Sequence, residues 1–387
     1  MKTYILNPRI QEMRCLKCGQ TYPVGDYFYG CPHCLKKGEN ASLTFVYEGS
    51  RQFLSDEKGL NRYSQFLPYK NTPYLGEGNT PVLSLNDLAK DLQLGGLYTK
   101  NEFQNPTASH KDRMNPFIVA RAVSAGFSTI TCASSGNEAA SLAAYAAAQG
   151  LRCVNVSSKD ITKTWRNASD ACGAEMILTE TSADRLSYQK AHMDEGWYCA
   201  TNLLDIPTSS SPFGIQGYKT ISYELYEEFG DKLPDCIMIP TCRGDLLYGI
   251  YEGFKDLMDE GYLTSLPRLA AAEPIPRLEL ILDGRNRHQD KFPGDSSQTP
   301  SIGGSTATYQ SELALRDSGG FAVSSPGEDM REAVKACGKY GFYLETSSAI
   351  LINCLKKAIS QEKIQKGSRV LLVLTSSGYK NPSELFD

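Results

Sequence analysis

Residues 128–150 read STITCASSGNEAASLAAYAAAQG. The first part, STITCASS, is short and rich in β-branched residues, the mark of a buried strand. The second part is alanine-rich and closes on Gly150, the mark of a helix with a glycine stop. A strand that runs straight into a helix is half of a crossover unit. RCVNVSS at 152–158 supplies the next strand.

The same alternation continues in both directions. GGLYTKNEF reads as a strand and MNPFIVARAVSAG as a helix ending at Gly126. Downstream, EMILTE, DCIMIPT, RLAAAEP and SRVLLVLTSSG read as strands. KTWRNASDACG, GYKTISYELYEEFG, LLYGIYEGFKDLMDEG and SSAILINCLKKAISQ read as helices. The fold class is therefore α/β, with parallel sheets covered by helices, and 387 residues is enough for two domains and a small module. Residues 283–310 are polar and rich in Gly, Ser and Pro, and read as a long loop or lid.

Composition narrows the function. Hydrophobic content of 41% with 22% charged residues is that of a globular protein. A formal charge of −4 argues against a protein built to neutralise nucleic-acid phosphates, so nucleic acid is not an expected partner. No apolar run approaches the length of a membrane span, and the first residues do not form a signal peptide. The expected compartment is the cytoplasm.

Twelve cysteines and four histidines are present. Four cysteines form two C-x-x-C pairs, Cys15 with Cys18 and Cys31 with Cys34, inside residues 1–45. That spacing suits four thiolates on one structural zinc in a ribbon module. Disulfides or free thiols are the other reading, which a reducing compartment disfavours. The remaining cysteines sit in apolar runs and read as buried thiols. No HExxH or other close histidine pair points to a catalytic metal.

Ligands in parallel sheets bind beyond the carboxyl ends of strands, so three loops carry the candidate chemistry. Ser134, Ser135, Gly136 and Asn137 make either an anion nest or an ordinary helix cap. Thr241, Cys242, Arg243, Gly244 and Asp245 precede a helix whose first amides suit a phosphate, although Asp245 opposes it. Thr375 and Ser376 offer hydroxyls, or simply a turn. A fourth segment, NPTASHKDR at 105–113, places Lys111 at a helix start. A helix N-terminus disfavours a protonated amine and so favours a nucleophilic lysine over a solvated one.

Together these segments resemble the threonine synthases and their fold-type II pyridoxal-phosphate relatives. The resemblance rests on LGEGNTPV at 75–82, NPTASHKDR at 105–113, SSGNEAASLAAYAA at 134–147, GYKTISYEL at 217–225, ETSSAI at 345–350 and VLTSSGYKNP at 373–382. It implies two doubly wound parallel-sheet domains, tryptophan synthase β-like, plus the zinc ribbon at residues 1–45. The larger domain would take residues 46–112 and 222–387, and the smaller one 113–221. It implies that Lys111 carries pyridoxal 5'-phosphate covalently and moves the Cα proton. His110, Asn137, Thr241, Cys242, Arg243, Gly244, Asp245, Thr375 and Ser376 would contact the cofactor. Ser134, Ser135, Gly136 and Glu138 would meet an amino-acid substrate. A homodimer is the expected assembly.

Several positions depart from the family pattern. His110 replaces the usual Phe, and TCRGD replaces a Gly- and Asn-rich turn. Ser211 and Gly214 stand where an Asn and an Arg hold a substrate phosphate, and Glu138 replaces a Thr. Putting arginine at Gly214 is accordingly expected to improve use of a phosphorylated substrate. The expected activity is a lyase or synthase reaction on an amino acid with a β- or γ-leaving group, with threonine formation from O-phosphohomoserine first. β-Replacement on O-phosphoserine or a related serine derivative, as in cysteate or cysteine synthesis, is second, and a plain dehydratase third. A non-catalytic cofactor-binding or ribbon-docking protein is the alternative of another class.

Overall fold

The computed structural model describes residues 3–134, 136–159, 161–327 and 330–380, except for the side chain of Ser182. The chain divides into two compact units, residues 1–78 with 111–220 and residues 79–110 with 221–387.

The first unit opens with β1 (Ile10–Cys15), β2 (Thr21–Tyr22), α1 (Pro32–Lys36) and β3 (Leu43–Tyr47). The next two strands, β4 (Val82–Ser84) and β5 (Gly96–Lys100), and helix α2 (Asn86–Asp91) belong to the second unit. The chain then returns to the first unit with α3 (Lys111–Ser124), β6 (Thr129–Ala133), α4 (Asn137–Ala147), β7 (Arg152–Ser158) and α5 (Lys163–Ala171). β8 (Glu175–Thr179), α6 (Ser182–Met193) and β9 (Trp197–Cys199) follow, and α7 (Pro212–Phe229) carries the chain across the division. The second unit closes with β10 (Cys236–Pro240), α8 (Asp245–Asp259), β11 (Arg268–Glu273), α9 (Leu278–Leu282) and α10 (Tyr309–Asp317). Its last elements are β12 (Phe321–Ser324), α11 (Met330–Gly338), α12 (Thr346–Ser360) and β13 (Arg369–Val373).

Unit one contains a small antiparallel sheet in the order β2-β1-β3 and a parallel sheet in the order β8-β7-β6-β9. The parallel sheet grows from β6 outward to β8, then returns to the other side of β6 with β9. The order therefore reverses at β6, whose carboxyl end is the 134–137 turn. The expected small domain covered only 113–221. In the structure residues 1–78 join it, because buried polar contacts stitch them on. Lys219 Nζ donates to the carbonyl of Phe66 at 2.8 Å, and Ser42 Oγ lies 2.8 Å from Ser209 Oγ. Asp26 forms a two-pronged ion pair with Arg121 of α3.

Unit two is one sheet in the order β12-β11-β10-β13-β5-β4, parallel except for the β4 edge. It is built outward from β10 to β12, then β13 enters on the other side of β10. The reversal lies between β10 and β13, so turns 241–245 and 375–378 leave neighbouring strands. Every residue of β10 is buried, which is why CIMIP is an unbroken apolar run.

Two close approaches fix the helices. On α7, a Cβ at Gly217 would lie 1.8 Å from the carbonyl oxygen of Arg113, and one at Gly214 would lie 2.7 Å from Met114 and Ile118. α3 and α7 thus pack backbone to side chain with no room for a methyl group. Gly214 faces α3, so the position is a packing requirement and not an opening for an arginine. Ser211 has a local role as well: its Oγ accepts the Gly214 amide at 3.3 Å, capping a helix that begins on Pro212. α7 therefore starts five residues before the expected Gly217.

Segment 283–310 is anchored within unit two. Phe292 and Thr299 are buried, and Arg277, itself fully buried, donates to the carbonyl of Gly304 at 2.6 Å. The segment is tied down by the same arginine that holds the 241–245 turn.

Candidate functional site

In unit one Lys111 is the first residue of α3. Its two sequence neighbours lock that helix start. Asp112 is fully buried and accepts from Ser141 Oγ of α4 at 2.6 Å. Arg113 is fully buried and donates to Thr220 Oγ1 of α7 at 2.9 Å. These charges are spent on orientation, which leaves the lysine side chain 21% exposed. Its Nζ lies 3.6 Å from Glu138 Oε2 and 5.9 Å from the centre of the Tyr218 ring.

Glu138 follows Asn137, the first residue of α4, at the carboxyl end of β6. Both are buried. Glu138 is held from the other side by Asn115: with its amide turned so that each end meets a complementary partner, the nitrogen donates to Oε1 at 2.9 Å and the oxygen accepts from the Leu142 amide at 3.2 Å. Gly136 is the cap residue of α4, and its amide donates to Ser134 Oγ at 3.4 Å. Ser135 lies outside the described residues.

Unit two carries the other candidates. Ala108 adopts φ +60°, an uncommon left-handed conformation for a residue with a side chain. Its carbonyl accepts from the Ser377 amide at 3.1 Å, Ser109 pairs with Ser376, and the His110 amide donates to Thr375 O at 2.9 Å. His110 Nδ1 also faces Thr375 O at 3.3 Å. The Thr375 hydroxyl is 2.6 Å from Ser348 Oγ. Ser109 Oγ is fully buried without a hydrogen-bond partner among the described residues.

The 241–245 turn is shaped by Gly244, the cap of α8, at φ +89°. A Cβ there would lie 2.3 Å from Ser311 Cβ, so both conformation and space demand glycine. Thr308 Oγ1 donates to Arg243 O, and Arg277 donates to Thr241 O at 2.8 Å. Arg277 also pairs with Glu273 at 3.1 Å with both side chains fully buried. The carboxylate of Asp245 is engaged by Gln310 of α10. Its opposition to an anion is thereby weakened, and Arg243 is exposed at the rim.

Cys15, Cys18, Cys31 and Cys34 converge, with all four sulfurs within 4.8 Å of one another. Two sulfur pairs, Cys15 with Cys34 and Cys18 with Cys31, stand 3.7 Å apart. The amides of Lys17 and Cys18 point at Cys15 Sγ, both at 3.4 Å.

Three positioning residues were not anticipated. Asn115 had a signal, since it is four residues after Lys111 and on the same helix face. Ser348 lies in the quoted ETSSAI segment, but nothing local marks it as the partner of Thr375. Arg277 had no signal, because EPIPR carries two prolines and no periodicity.

Residues 74–376 match the family model described as "Pyridoxal-phosphate dependent enzyme". The chain is 31% identical to a threonine synthase of Methanocaldococcus jannaschii, over 95% of this chain and 93% of that protein. It is also 31% identical to a threonine synthase of Halalkalibacterium halodurans, over 84% of this chain and 90% of that protein. Among solved structures it resembles the processed form of threonine deaminase isoform 2 from Solanum lycopersicum. That match has a TM-score of 0.65 and 19% identity, covering 79% of this chain and 83% of the other. The likeness to the deaminase is one of fold alone.

Proposed function

Because the chain belongs to the family of pyridoxal-phosphate-dependent enzymes that includes the threonine synthases, we propose that it is a lyase of threonine synthase type, forming threonine from O-phosphohomoserine. The observation that carries this reading is a lysine at a locked helix start, partly open, beside the carboxyl end of the strand where the sheet order reverses. The residues present fit the cofactor. Lys111 supplies the amine for its aldehyde, and the glycine-capped amides of α8 with the 241–245 turn suit its phosphate. The neutral hydroxyls of Thr375 and Ser376 suit its ring nitrogen, and Ser109 Oγ is a buried hydroxyl with hydrogen-bonding capacity to spare. Pyridoxal phosphate, when bound, supplies an electron sink for bond breaking at Cα.

The chain's own residues do the rest. The first amides of α4, with Ser134, Ser135 and Gly136, bind the substrate carboxylate, and Asn137 and His110 orient the cofactor. Lys111 takes and returns the proton at Cα. The Asp112–Ser141 and Arg113–Thr220 bonds keep its Nζ on line. β-Replacement on an unphosphorylated serine derivative is favoured by one observation: Gly214 faces α3, leaving no arginine there for a substrate phosphate. A homodimer in the cytoplasm is the expected setting. No helix among the described residues is long and apolar enough to cross a membrane.

The four cysteines are assigned to one structural zinc. Sulfur separations of 3.7 Å agree with a tetrahedral set, for which Zn–S bonds of about 2.3 Å imply roughly 3.8 Å. Four thiolates close the site, which gives it a structural role.

The test of the main reading is direct. Protein supplied with pyridoxal phosphate should turn yellow, and borohydride should fix the cofactor on Lys111, as read by peptide mass. Protein that stays colourless overturns it.

A further inference from the structure

We propose that Glu138 is the acid–base residue for a hydroxyl at the substrate's Cβ, so that this chain handles β-hydroxy amino acids such as serine and threonine directly. The inference rests on the lyase reading and deepens it.

The argument starts from distance. Lys111 must reach the Cα hydrogen, which places its Nζ within about 3 Å of it. Cβ is one bond further, about 1.5 Å. A carboxylate oxygen 3.6 Å from Nζ is therefore within hydrogen-bonding reach of an oxygen on Cβ. Asn115 holds the other carboxylate oxygen, so the group is aimed and not free to swing. A glutamate in the first turn of a helix is commonplace as a surface charge complementing the dipole. Here its side chain is only 7% exposed and faces Lys111, whose helix start the Asp112–Ser141 and Arg113–Thr220 hydrogen bonds fix. Cys132 lies within electrostatic reach of the same pair, but burial pushes its thiol well up, so it stays neutral.

The step balances as follows. Lys111 takes the Cα proton, and the C–H electron pair becomes the Cα=Cβ bond. The Cβ–O bond breaks with its pair on oxygen, and the proton on the Glu138 carboxyl completes a water molecule. Run backward, Glu138 takes a proton from the water that adds to Cβ, and the product hydroxyl is the β-hydroxyl of threonine. Elimination from serine releases, after tautomerisation and hydrolysis by water, a 2-oxo acid and ammonia.

The test compares leaving groups in the cofactor-loaded protein. Glu138→Gln should slow elimination from serine by about 10²–10⁴, the usual worth of a positioned acid. Elimination from β-chloroalanine, whose chloride needs no proton, should change less than about threefold. A binding readout stands beside activity. α-Methylserine, which has no Cα hydrogen, should perturb the cofactor absorbance at about tenfold lower concentration than 2-aminoisobutyrate, and Glu138→Ala should erase that preference. Glu138→Asp should restore part of the serine activity. Equal losses on both leaving groups, no loss on either, or a parent that eliminates chloride but leaves serine and threonine untouched would each overturn the role. Failure of the lyase reading looks different: no colour and no borohydride fixation in the parent.

Discussion

The two units use one topological device for opposite ends. Each has a sheet whose strand order reverses, and each puts its candidate residues at the carboxyl ends beside that reversal. In unit one the loop presents charge: Lys111 and Glu138 stand together, held by Asn115. In unit two the turns present amides and hydroxyls, and apart from the exposed Arg243 their charged residues are turned inward. Arg277 and Glu273 are fully buried beneath the 241–245 turn, and Asp245 is engaged by Gln310. The difference teaches a division of labour. On the proposed reading, the groups that change protonation sit on a helix start with partial solvent access, and the groups that only hold sit over a buried Arg277–Glu273 pair.

That contrast can be broken at several points. The largest effect is expected from Lys111→Ala, which should abolish borohydride fixation and lower turnover beyond the roughly 10²–10⁴ due to proton transfer alone. Normal turnover in that variant would remove the charged half of the comparison. Arg277→Met should cost about 3–5 kcal/mol in chemical denaturation, because Glu273 is left buried without its partner. It should also weaken cofactor affinity, as the turn and the Gly304 segment lose a shared anchor. Unchanged stability would mean that the pair does not hold unit two. Gly217→Ala should cost about 1–3 kcal/mol or more by forcing α7 away from Arg113. Gly214→Arg should lose fold rather than gain a phosphorylated substrate. A stable, more active Gly214→Arg protein would restore the reading that the structure displaced. The smallest effect on chemistry is expected from Cys15→Ser with Cys18→Ser. Metal analysis should fall from about one zinc per chain to none, while the yellow colour persists on Lys111.

Much of this was legible beforehand. Strand–helix alternation was visible because β6, β7, β10 and β13 are short stretches rich in β-branched residues bounded by turns and helices. The weaker elements escaped for a physical reason: β9 and β12 are three and four residues long, too short to show a period. α9–α11 were missed because their stretches are short and interrupted. At the site, the lysine, the four cysteines and the three turns were found because each has a local signature. The supporting shell was not, because Arg277, Ser348 and the faces of Gly214 and Gly217 depend on partners far away in sequence.

The sequence alone determined the class of fold and the cysteine set and singled out Lys111, since spacing and turn chemistry are local. Tertiary structure decided what Glu138 touches, why Gly214 cannot be an arginine, and which charges are spent on holding rather than reacting. Those depend on which helices come within one atom's width of each other, and no local pattern carries that distance.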